Sequence, residues 1–267
     1  MEFSEYAWRS CCLGNLFCFN DQRRWYRHCY RKNRCCKLMQ TQTCFLLSYL
    51  KYGDHDAVLH CFSEENGFTS FFVKGIYTTK NKKKPYLFPL NRLIITTSKS
   101  NSENNILKVS KIEMAPDHYD FNVVAMNSIL FFTADFLHQV LRDESANHLL
   151  FNEIESLREE VSTQNYDGYL SFIFRFLEFS GIAPLPSKYP FLNPESGRFE
   201  EQISHTFFNN TVSLVWKRFL DAEQAYNIRL KRDERSAFLD SLMIYCQYHI
   251  NGFYIPKSLA VVRQIFE

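Results

Sequence analysis

Residues 44–76 read CFLLSYLKYGDHDAVLHCFSEENGFTSFFVKGI, three apolar runs separated by two turn signals. The runs at 44–50, 57–62 and 68–76 are short and rich in aromatic and branched side chains, which suits a pleated, half-buried surface. The first break, Tyr52-Gly53-Asp54, puts a glycine where a tight turn needs positive φ. The second, Asn66-Gly67, is the favoured pair for a tight hairpin turn. Outward from this stretch, 78–85 is a lysine-rich loop, 87–97 a fourth strand, 98–105 a polar turn and 106–113 a fifth strand. Five short strands in about 75 residues predict a small closed or half-closed barrel.

At Pro116 the hydrophobic period changes. Val123, Met126, Leu130, Ala134, Leu137 and Leu141 fall at intervals of three and four, one face of a long helix, with Asp120 as its expected cap. Helices are also predicted over 146–161, 166–180 (ended by Gly181), 210–221 and 233–250 (ended by Gly252), with a last one capped by Ser258. Pro184, Pro186, Pro190 and Pro194 mark an irregular loop. The expected class is α+β, with a barrel at 39–116, a helical domain at 117–267 and a leader at 1–38. Six of the nine cysteines fall in the first 36 residues, and no two have the C-x-x-C spacing of a zinc knuckle. The leader is read as an unstructured Arg/Cys-rich segment, and the start is left between Met1 and Met39, since readable periodicity begins just after Met39.

Charge locates the function. Between Phe71 and Lys111 stand nine Lys/Arg against one acid, Glu103, in a chain whose formal net charge is only +2. Lys80, Lys82, Lys83 and Lys84 occupy one loop, where like charges repel unless solvated or matched by an anion. Tyr77 and Tyr86 flank them, and Phe71 and Phe72 point to opposite faces of the third strand. One ring of each pair can be core while the other stays free to stack on a base. A concentrated positive field on a folded β surface is what a phosphate backbone needs, since each neutralised phosphate releases a counterion. No apolar run approaches the roughly 18 residues that span a bilayer, and no export signal precedes the barrel, so the chain is read as cytosolic.

Catalytic patterns are missing. The eight glycines form no phosphate-binding loop, and neither a nucleophile elbow nor a two-histidine zinc helix appears. His55, His60, His118 and His138 are scattered, and His249 reads as a hydrogen-bonded core residue. Asp54 and Asp56 read as turn-bonding groups. Glu153, Glu155, Glu159 and Glu160 read as the solvated face of a helix. The chain is therefore read as a binding protein and not an enzyme.

Two blocks of motifs carry a family likeness. Leu50-Lys51-Tyr52-Gly53-Asp54, Glu64-Glu65-Asn66-Gly67 and Ser70-Phe71-Phe72-Val73-Lys74-Gly75 form the first; Arg232-Asp233-Glu234-Arg235, Tyr245-x-x-Tyr248-His249-x-x-Gly252-Phe253 and Lys257-Ser258-Leu259 form the second. Glu195-Ser196-Gly197-Arg198-Phe199 lies between them. In order and spacing these resemble the bacterial recombination mediator family RecO over 39–267. The resemblance implies an OB-fold barrel followed by a helical domain. It implies DNA binding, annealing of complementary strands, and loading of RecA, with RecR, onto DNA coated by single-strand-binding protein, without catalysis. Many family members hold zinc through four cysteines in the helical domain; 181–224 here has none, so no zinc is expected.

The expected phosphate contacts are Lys74, Lys80, Lys82, Lys83, Lys84 and Arg92, with Tyr77 or Tyr86 stacking. Lys217, Arg218, Arg229, Lys231 and Arg232 are candidates for protein contacts, including the acidic tail of single-strand-binding protein. An RNA-binding module on the same barrel, or an interaction scaffold that touches no nucleic acid, would fit the same residues.

Overall fold

The computed structural model describes residues 39–78, 83–98, 106–116 and 123–266. The predicted leader at 1–38, Lys80, Lys82, most of the polar turn at 98–105 and the expected cap Asp120 lie outside the described residues.

Five strands close a barrel: β1 (Met39–Tyr52), β2 (Asp56–Ser63), β3 (Gly67–Val73), β4 (Arg92–Ser98) and β5 (Ile106–Met114). Their order is β1-β2-β3-β5-β4. All neighbours are antiparallel except β3 and β5, which run parallel. β1 closes the ring by serving two partners. Its first half pairs with β4 and its second with β2, with a bulge between Leu46 and Ser48. A bulge adds bend and twist, which a five-strand barrel needs to shut. Leu46, Leu59, Phe71, Leu93, Ile95 and Ile112 fill the interior.

The fourth strand is shorter than its sequence suggests. A 3-10 turn at Lys84–Leu87 occupies the start of the expected 87–97 run, and pairing begins at Arg92. Pro85 favours the turn and Pro89 has no N–H for a ladder. Leu87 still reaches the barrel core from that turn.

The helical body comprises α1 (Val124–Val140), α2 (His148–Ser162), α3 (Gly168–Phe179), α4 (Asn210–Leu220), α5 (Arg232–His249) and α6 (Leu259–Phe266). Asn147 caps α2 and Asn209 caps α4, each accepting from the backbone N–H three residues on. α1 starts at Val123 without a side-chain cap. It is buried on more than the predicted stripe: Ser128, Phe132, Thr133 and Phe136 are also inside, so α1 is a central helix. A short hairpin, β6 (Phe191–Asn193) with β7 (Arg198–Glu200), stands within the stretch that its prolines marked as irregular. Tyr245 and His249 stack at 4.1 Å, and His249 Nε2 lies 2.8 Å from the Pro194 carbonyl. The hairpin glycine, Gly197, has φ +65, and a Cβ there would meet the Tyr245 hydroxyl at 2.8 Å.

The carboxylates of α2 depart from the solvated face expected of them. Glu153 is buried, accepts from Arg175 Nε at 2.9 Å and from the Tyr226 hydroxyl at 2.8 Å. Glu155 pairs with Arg158, and Glu160 accepts from Asn165. Only Glu159 is exposed as expected.

Barrel and helices share apolar contacts. Phe45, Leu47, Phe62 and Leu90 leave the barrel interior and join the core built by α1, α2 and α3. The rings of Phe45 and Phe151 are 4.6 Å apart.

Candidate nucleic-acid interface

The cations expected to bind phosphate do not all share one surface. After β3 ends, the chain turns at Lys74 and Gly75 and runs back along the β1–β2 turn. Gly75 N donates to Asp56 Oδ1 at 2.7 Å, and Tyr77 N donates to the His55 carbonyl at 3.0 Å. Gly75 takes φ +69, which allows this reversal. The bonds hold exposed Lys74 next to the tip of the β1–β2 turn. Lys51 joins them from the end of β1, its Nζ 5.8 Å from the Tyr77 ring centroid. Lys84 is exposed and Lys83 half-buried at the start of the 3-10 turn. None of the ion pairs among the described residues uses Lys51, Lys74, Lys83 or Lys84. These ammonium groups retain their field for an external anion.

Arg92 stands apart. Its guanidinium is 3.9 Å from Glu155 of α2, where the barrel meets the helices. Lys111, another cation of the basic stretch, is 2.8 Å from Glu113. Tyr77 and Tyr86 are half-buried and pack against the barrel core, so their rings close the barrel interior more than they face solvent. Burial also pushes the Tyr77 hydroxyl above its ordinary pKa.

The outer face of the sheet holds what charge counting passed over. Leu50, Val58, Phe72 and Lys108 stand in register across β1, β2, β3 and β5. Leu50 is 62% exposed, and beside this row Tyr52 is 63% exposed. The rings of Tyr52 and Phe72 meet edge to face, 5.6 Å between centroids. The period-two alternation of each strand was enough to assign these side chains outward; their meeting depended on strand order.

Residues 39–115 match the family model described as Recombination protein O N terminal. The chain is 26% identical over 243 residues to a DNA repair protein RecO from Flavobacterium psychrophilum, covering 85% of this chain and 100% of the relative. It is 27% identical over 232 residues to the DNA repair protein RecO of Christiangramia forsetii, covering 83% of this chain and 96% of the relative. A third RecO, from Phocaeicola vulgatus, is 26% identical over 250 residues, covering 86% of this chain and 100% of the relative. Residues 39–115 carry the N-terminal part of the Recombination protein O family, and the chain resembles RecO proteins along most of its length. A solved asparaginyl-tRNA synthetase of Entamoeba histolytica overlaps 59% of the chain at a TM-score of 0.27, too low to bear on the fold.

In this RecO-like chain the cations expected to make protein contacts are largely engaged within the helical body. Lys217 Nζ lies 5.0 Å from the Phe199 ring centroid. Arg218 pairs with Glu234 and also donates to the Arg229 carbonyl. Arg229 donates to Asn165 Oδ1 and the Tyr226 carbonyl. Lys231 caps α5, its backbone N–H donating to Glu234 Oε2 at 3.0 Å. That bond and Arg218 hold the Glu234 carboxyl below its ordinary pKa. Of these five, Arg229, Lys231 and Arg232 are exposed and take part in no ion pair among the described residues, and Arg229 is already held by its two hydrogen bonds. Among the described residues no group of three or more His, Cys, Asp or Glu is placed to hold a metal ion, and no helix is long and apolar enough to cross a membrane.

Proposed function

We propose that this chain is a non-enzymatic DNA-binding protein of recombinational DNA repair. It anneals complementary strands and helps load RecA onto DNA coated by single-strand-binding protein. Its partners are single- and double-stranded DNA, RecR and the acidic tail of single-strand-binding protein; its place is the cytoplasm, on nucleoid DNA, and it needs no zinc. The reading is supported by its RecO relatives, which are named for DNA repair. One observation supports it at the level of residues: Lys51 and Lys74 lie beside the β1–β2 turn, Lys83 and Lys84 open the 3-10 turn, and none of the four is in an ion pair among the described residues. Lys80 and Lys82 add to that charge in sequence. Two backbones brought to such a surface repel each other less, because the lysines replace their condensed counterions.

The test is salt dependence. Replacing Lys82, Lys83 and Lys84 together with alanine is expected to weaken DNA binding and lower the slope of log K against log salt. Each lost phosphate contact removes about 0.7 to 0.9 from that slope. An Arg92→Ala variant is expected to change the slope less than the triple variant, since Arg92 already faces Glu155. A triple variant with the parent slope would refute the assignment. An annealing assay on strands pre-coated with single-strand-binding protein tests the wider role.

A further inference from the structure

The outer sheet face combines two features that seldom occur together without a ligand. It exposes a contiguous apolar and aromatic strip, Leu50, Tyr52, Val58, Phe72 and Ile106, across four strands. It also borders that strip with cations. Lys108 stands opposite Phe72 in the β3–β5 register, and Lys74 follows Phe72 by two residues. None of the ion pairs among the described residues uses either lysine. Asp56 of the adjoining β1–β2 turn accepts from Gly75 N, and Glu113 of β5 is paired with Lys111.

A protein partner with an apolar face would leave those ammonium groups facing carbon, which costs desolvation without return. A duplex presents phosphates but keeps its base faces stacked inside. A single strand presents both a chain of phosphates and free π faces, and matches both parts of the surface. The edge-to-face contact fixes Tyr52 and Phe72 relative to each other before any ligand arrives, so little side-chain freedom is lost when a base stacks.

We propose that Tyr52 and Phe72 form a stacking platform for unpaired bases, making single-stranded DNA the preferred ligand of the barrel's outer face. This rests on the DNA-binding reading above and names its strand form. Tyr77 and Tyr86, turned toward the barrel core, are not the stacking pair.

The measurement uses the full chain with three probes of equal length: oligo(dT), an abasic strand of the same charge, and a duplex. Tyr52→Ala and Phe72→Leu are the variants. Phe72→Leu keeps apolar bulk on the half-buried strand while removing the ring, and circular dichroism with thermal melting checks that each folds. Oligo(dT) affinity is expected to fall about 5- to 150-fold in each variant, with an unchanged salt slope. Affinity for the abasic strand and the duplex is expected to stay within about twofold of the parent. Variants that hold oligo(dT) as tightly as the parent overturn the platform while leaving DNA binding intact. So do variants that lose oligo(dT) and abasic strand equally. A parent chain that binds none of the three probes even at low salt overturns the DNA-binding reading itself, and the platform with it.

Discussion

Glu153 carries a charge into a place closed to water and is held there by two donors, Arg175 and the Tyr226 hydroxyl. The arrangement pushes the Tyr226 hydroxyl far above its ordinary pKa, through burial first and the neighbouring carboxylate second. The cost of breaking it is unequal at its two ends. Glu153→Ala leaves the buried Tyr226 hydroxyl without its acceptor and Arg175 with Glu178 alone, and is expected to destabilise the fold by roughly 2–3 kcal/mol. Tyr226→Phe leaves Arg175 on the carboxylate and is expected to cost only about 1 kcal/mol. Urea denaturation of both variants checks the order, and equal losses would contradict it. At the same scale, Gly67 is required twice over. It has φ +71, and a Cβ there would sit 2.3 Å from the Glu144 carbonyl oxygen. The Asn66-Gly67 signal was legible as a turn; the close approach of the α1–α2 connection was not, because nothing local encodes what another segment will bring.

At the scale of elements, the β2–β3 hairpin docks on α1 through three rings. His60 on β2, Phe68 on β3 and His138 on α1 lie with centroids 5.3 to 6.0 Å apart. His60 Nδ1 is 2.9 Å from Ser70 Oγ, and Phe68 N donates to the Glu144 carbonyl. Burial, then Arg142, lowers the pKa of His60; burial, His60 and Arg142 lower that of His138, with Asp135 opposing. Both imidazoles are harder to protonate folded than unfolded. The unfolded chain therefore takes up protons first as pH falls below the ordinary value of 6.5. Stability is expected to be full above that value and to decline as pH drops through it toward the folded values. A His60→Gln/His138→Gln double variant is expected to flatten this decline between about pH 5 and 7. Midpoints of thermal unfolding across that range check it, and a parent-like slope in the variant would rule the pair out. The scattered histidines of the sequence thus acquire a shared place only because strand pairing and helix packing bring them together.

Over the whole molecule, one apolar cluster runs from the barrel wall into the helices. Phe45 sits at that seam, against Phe151 and beneath Arg158, whose guanidinium carbon lies 5.5 Å from its ring. Phe45→Ala is expected to cost about 3–5 kcal/mol and to lower the midpoint of helical circular-dichroism loss, although the residue belongs to a strand. An unchanged helical midpoint would mean that barrel and helices unfold independently. This coupling keeps the outer face of the barrel in a fixed relation to α1.

Alternation, turn residues and helical spacing were local signals. They were enough for five strands, the helical order that follows, the glycine turns and the excess of positive charge, because each depends on residues a few positions apart. The 3-10 turn before β4 and the three-residue β6–β7 hairpin escaped because segments that short carry no readable period. Which cations remain free, which rings face solvent and which carboxylates are buried was decided by tertiary structure alone. Arg92 meets Glu155, and Tyr52 meets Phe72. Charge and stacking act between side chains close in space, and closure of the barrel against the helices sets those distances.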